Sequence, residues 1–163
     1  MINGAQLLLW MVLFLIPSMT VAATPLLNPS QIRVLNEAMQ IGAEYGVGNT
    51  LAAVIWVESG LGKRDLGDHG KAFGPAQIHL PTARKTAEEP ISVWFLRYDW
   101  QTNMVIAAWF LRTCQKKFGY TGGIACFNRG LYMKHPRHPE TIGYVRAVLA
   151  KLYLINHLPI SGD

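Results

Sequence analysis

The stretch Ala52-Ala53-Val54-Ile55-Trp56-Val57-Glu58-Ser59-Gly60 constrains the chain more than any other. An apolar run ends in a single carboxylate, followed at once by a serine and a glycine. A Glu in that place can lie at the floor of a cleft, partly shielded from water. Partial desolvation raises a carboxyl pKa, and a carboxyl still protonated near neutrality can act as a general acid. A solvated residue at a helix end is the other reading, and this stretch alone leaves both open.

At 163 residues the chain suits one domain with enough length to bury a core. It is 50% hydrophobic and 15% charged, with a formal charge of +5. Every Lys and Arg lies at or beyond Arg33, so the positive excess belongs to the downstream domain. Such an excess favours anionic surfaces (nucleic acid, lipid headgroups or a cell-wall polymer) without choosing among them.

Residues 7–16 form an apolar run closed by Pro17 and Ser18, and Val21 and Ala23 are placed like the small pair before a signal-peptidase cut. A spanning helix needs about 20 apolar residues, so the run reads as a secretory signal peptide over residues 1–23. No Lys or Arg precedes it, which keeps an uncleaved inner-membrane anchor as the alternative. Either way the working domain is expected to be exported, in a periplasmic or equivalent compartment. A disulfide between Cys114 and Cys126 is compatible with that compartment, and two buried thiols are the competing reading.

Downstream, Asn28-Pro29-Ser30 opens a first helix, with Ser30 as its expected cap and Ile32, Leu35 and Met39 at helical spacing. It should fade near Gly46-Val47-Gly48. A second helix starts at Asn49-Thr50 and ends in Glu58-Ser59-Gly60. Residues 63–73 read as a loop, and Pro75 and Pro81 limit any helix there to a turn or two. Asp99 caps a central helix whose residues 104–111 are apolar on nearly every side, the mark of a buried helix. It should run to about Lys117, and Gly122-Gly123 lead into a shorter piece. Residues 134–139 are a basic loop. Thr141 starts a last helix with Val145, Val148, Leu149 and Leu152 on one face. No period-two alternation is evident, so the expected class is mainly α.

Four pieces, in order, carry a family resemblance. Glu58-Ser59 closes an apolar helix, Gly74-Pro75-Ala76-Gln77 follows, then Cys126-Phe127-Asn128-Arg129-Gly130, then Tyr144-Val145 in the final helix. The chain thereby resembles the soluble lytic transglycosylase catalytic domain, related to goose-type lysozyme. The family's Gly-Leu-Met-Gln keeps its Gly and Gln here, and its Ala-Tyr-Asn-Ala-Gly keeps Asn and Gly. Residues 99–103 also resemble the Asp-Pro-x-x-Asn entry to the family's central helix. The resemblance implies a single lysozyme-like helical domain over residues 28–156, followed by a tail at 157–163. It implies cleavage of the β-1,4 bond between N-acetylmuramic acid and N-acetylglucosamine in peptidoglycan, leaving 1,6-anhydromuramic ends.

In that scheme Glu58 is first acid and then base, and Ser59, Gln77, Asn128 and Tyr144 bind substrate or tune the acid. No cofactor or metal is implied. Local uses compete with several of these roles: helix-end capping for Ser59, a turn amide for Gln77, a core side chain for Tyr144. Asn128, a polar amide in an apolar piece, should have a specific partner. Pro75-Ala76 removes bulk from one cleft wall, Phe127 loses a hydroxyl, and Arg129 could reach an anionic peptide stem.

A hydrolase normally needs a second carboxylate. Asp65 and Asp68 read as solvated loop residues and Asp99 as a cap, so hydrolysis by a lysozyme-type muramidase is the alternative rather than the expectation. A glycan-binding module that no longer cleaves is a further alternative. His135 and His138 lie among prolines that deny them helical presentation, which argues against a metal site. The basic balance brings no recognised nucleic-acid motif with it. The expected partner is therefore the glycan strand, with an envelope-spanning pilus, secretion or conjugation machine, or a phage, as the setting that the sequence does not choose.

Overall fold

The computed structural model describes residues 27–131 and 138–157. The signal segment at 1–23, most of the basic loop with His135, and the tail beyond His157 lie outside the described residues.

The chain is mainly helical. Helix α1 (Pro29–Glu44) is capped by Asn28 and not, as expected, by Ser30. Asn28 Oδ1 accepts from Gln31 N–H at 2.9 Å, while Gln31 Oε1 accepts from Asn28 N–H at 3.1 Å. That reciprocal pair needs an amide three residues on, which Asn28 has and Ser30 lacks, and Pro29 fits the first helical position. Ser30 instead donates its hydroxyl to Asn28 Oδ1. The Gln31 amide also reaches Gly60 O at 3.0 Å, so the start of α1 holds the end of the next helix.

Helix α2 (Thr50–Ser59) is the most enclosed element, with every residue from Thr50 to Trp56 buried. Helices α1 and α6 (Pro139–His157) flank it. Gly60 ends it in the left-handed conformation, φ 69°, at a place where a side chain would be strained.

The expected loop at 63–73 contains strands instead. β1 (Leu66–Gly67), β2 (Ala72–Phe73) and β3 (Ile78–His79) form an antiparallel sheet in sequence order, with Leu66 opposite Phe73 and Phe73 opposite Ile78. Strands of two residues are too short to display alternation. Pro81 lies in the first turn of α3 (Leu80–Ala87), which stays at two turns. Helix α4 (Val93–Tyr98) is capped by Ser92.

Asp99 caps α5 (Trp100–Arg129) by accepting from Thr102 N–H at 3.1 Å. Helix α5 breaks at Gly119, φ 73° and ψ 179°, into two limbs. Trp109 qualifies the expectation that residues 104–111 are enclosed, since it is 43% exposed. On α6, Val148 is buried as expected and Val145 and Leu152 pack against the core. Leu149 faces outward, and Ile155, one per cent exposed, takes the inner position instead. None of the described helices is long and apolar enough to cross a membrane.

Cys114 and Cys126 are both buried and joined as a disulfide that ties the two limbs of α5 across the Gly119 break. Closing a loop of this length removes about 3 kcal/mol of chain entropy from the unfolded state. Replacing both cysteines by Ala is expected to lower unfolding free energy by about that amount. Urea titration of the two proteins reads it directly, and an unchanged midpoint would show that α5 holds its limbs together without the bond.

Candidate active site

The buried run of α2 carries the chain to Glu58, whose side chain is partly buried beneath α6. Tyr144, also partly buried, comes from that helix, and its hydroxyl donates to Glu58 Oε1 at 2.6 Å. Glu58 Oε2 has no hydrogen-bond partner among the described residues.

Burial raises the Glu58 pKa from 4.5 to about 7, against the opposing effects of the Tyr144 hydrogen bond and the nearby Arg64 charge. Desolvation therefore outweighs both stabilising partners, and a large share of Glu58 carries its proton at neutral pH. Burial, then the Glu58 charge and hydrogen bond, push the Tyr144 phenol well above its usual value, so it stays a donor. A neutral acid with one free oxygen, held by a permanent donor, can protonate a leaving oxygen and later take a proton back.

Replacing Tyr144 by Phe removes an interaction that lowers the Glu58 pKa. The basic limb of the pH–rate profile should then move above pH 7 and the maximal rate should fall. A limb that stays in place, or moves to lower pH, would show that the 2.6 Å contact does not tune the acid.

Arg64 organises the floor of this site. Its Nη2 donates to the Glu58 carbonyl oxygen at 2.8 Å, its own N–H donates to Ser59 O at 3.2 Å, and its carbonyl accepts from Gln77 Nε2 at 3.4 Å. A cation at a helix C-terminus faces the last unsatisfied carbonyls, which explains its position.

Two of the expected substrate contacts, Ser59 and Gln77, have local hydrogen-bond partners. Ser59 is one per cent exposed, donates to Ile55 O at 3.2 Å and accepts from Gly62 N–H at 2.8 Å. Its hydroxyl closes the helix end and is not presented to a ligand. Gln77 gives its amide hydrogens to Gly74 O at 2.8 Å and to Arg64 O. Those donors close the turn between β2 and β3 and tie it to Arg64, ahead of β1. Asn128 is exposed in the last turn of α5 and its side chain makes no hydrogen bond among the described residues, to Glu58 or to any other. The three carboxylates weighed as second catalytic groups all have local uses. Asp65 binds Arg97 at 2.9 Å, Asp68 lies 3.3 Å from His79, and Asp99 caps α5.

Sequence reasoning missed the side chain that holds the motif together. Asn103 is fully buried, accepts from Ala76 N–H at 2.9 Å, and donates to Phe73 O at 2.8 Å and Leu96 O at 2.9 Å. It thus fixes β2, the turn after it and α4 to α5. Gly74 sits against this amide at φ 68°, and a Cβ there would run into Leu96 O and Asn103. The signal was an amide one position before a long apolar helix segment.

Comparison with protein-family models and with curated proteins returns no match.

Proposed function

We propose that the protein is a peptidoglycan lytic transglycosylase. The observation that carries this reading is a single carboxyl, Glu58, at the end of a buried helix, with a pKa near 7 and the Tyr144 hydroxyl 2.6 Å away. The local uses of Asp65, Asp68 and Asp99 favour a scheme that needs one carboxyl over one that needs two.

In that scheme Glu58 gives its proton to the glycosidic oxygen as the bond to muramic acid C1 breaks, leaving an oxocarbenium-like sugar. The resulting carboxylate then removes the proton from the muramyl 6-hydroxyl, whose oxygen bonds to C1 and closes the anhydro ring. The proton returns to Glu58 and no water is consumed. Tyr144 keeps a donor on Glu58 through both steps and steadies the carboxylate when it forms. The setting, as an exported enzyme that opens the wall locally for a pilus, secretion or conjugation machine, rests on the sequence resemblance.

The test is to digest purified peptidoglycan and measure two quantities together. Soluble fragments should accumulate without a matching rise in reducing ends. A stoichiometric rise would make the protein a muramidase, and no fragments at all would reject glycan cleavage.

A further inference from the structure

A groove of about 870 Å³ opens between α3 and the two limbs of α5, and neither Glu58 nor Tyr144 lines it. Lys85 on α3, Arg112 and Lys116 on the first limb, and Arg129 at the end of the second all border it, against one carboxylate, Glu88. Arg112 and Lys116 are four residues apart and so share a helix face. Arg112, Lys116 and Arg129 are exposed and form no ion pair among the described residues. Like charges gathered in one concavity repel one another and raise the local potential, which a bound anion relieves. Thr82, Thr86 and Thr113 add hydroxyls, and Trp109 adds an exposed ring.

We infer that this groove binds a short peptide bearing two or more carboxylates, the peptide stem of peptidoglycan, while Glu58 acts on the glycan. The naming of the stem rests on the lytic reading above. Guanidinium groups match carboxylates with paired hydrogen bonds, and the threonine hydroxyls can serve the peptide amides. Size separates this ligand from a nucleic acid. Concavities of roughly 300–1,000 Å³ enclose single small ligands, whereas a nucleic acid backbone is followed by an extended basic stripe or channel.

The test uses the full chain and the tripeptide L-Ala-γ-D-Glu-diaminopimelate, titrated calorimetrically at low and high salt. The wild type should bind it saturably, more weakly at high salt, and bind its fully amidated form at least tenfold less well. Substituting Arg112→Gln and Lys116→Gln together should weaken binding about tenfold, with the circular dichroism spectrum unchanged. Four results would overturn the inference: no saturable binding, equal binding of the amidated peptide, an unaffected double variant, or tighter binding of an oligonucleotide of equal charge. Peptide binding without wall lysis would retain the groove and reject the lytic reading. Lysis without peptide binding would do the reverse.

Discussion

Replacing Glu58 by Gln is expected to lower the rate of glycan cleavage by about a thousandfold, within the range general acid–base catalysis supplies. The same substitution should make the protein more stable at pH 8. Gln keeps the shape and the acceptor for Tyr144 but has no proton to give. The stability effect follows from the sign of the pKa shift. Because the folded-state pKa of about 7 lies above the unfolded value of 4.5, the fold favours the protonated form. Relative to the acid limit, that preference is fully expressed below pH 4.5 and is lost as pH rises through about 7. Above pH 7 the buried carboxylate costs the wild type on the order of 3 kcal/mol, which Gln does not incur. Urea unfolding at pH 4 and pH 8 should therefore show the variant gaining stability only at the higher pH. Unchanged lysis would remove Glu58 from the chemistry, and equal stabilities at pH 8 would place its pKa near the ordinary carboxyl value.

The second large effect belongs to Asn103. Substitution by Leu leaves the Ala76 N–H and the Phe73 and Leu96 carbonyls without their buried partner. Stranded buried polar groups cost about 1–3 kcal/mol each before relaxation, so a loss of about 3–5 kcal/mol is expected. Chemical unfolding measures it. A loss under about 1 kcal/mol would mean that water or a shifted backbone replaces the amide readily.

Glu58 was legible because its signal is local: an apolar run that ends in a carboxylate. Most of the helices were legible for a similar reason, through glycines and spacing, whereas α4 lies in a stretch whose pattern is mixed. The contact between Glu58 and Tyr144 joins residues 86 apart, and only the family resemblance brought the two together in advance. The uses of Ser59 and Gln77 depend on which carbonyls a turn presents, and residue type does not encode that. Polar side chains beside such a Glu read as substrate contacts from residue type, whereas the turn geometry shows the local partners of their hydrogens. Asn103 belongs to a segment that resembles a family motif, yet its role emerges only where β2, α4 and α5 converge. On α6, Leu149 and Ile155 are equally apolar, and the crossing of the helix over the core decides which of them turns inward.

One carboxyl performing both proton transfers without water is the centre of this account. The most direct measurement is the mass of the muramic ends released from peptidoglycan in water carrying a heavy oxygen isotope. The account predicts 1,6-anhydromuramic ends, one water lighter than a reducing end and free of the label. Reducing muramic ends carrying the heavy oxygen would contradict it.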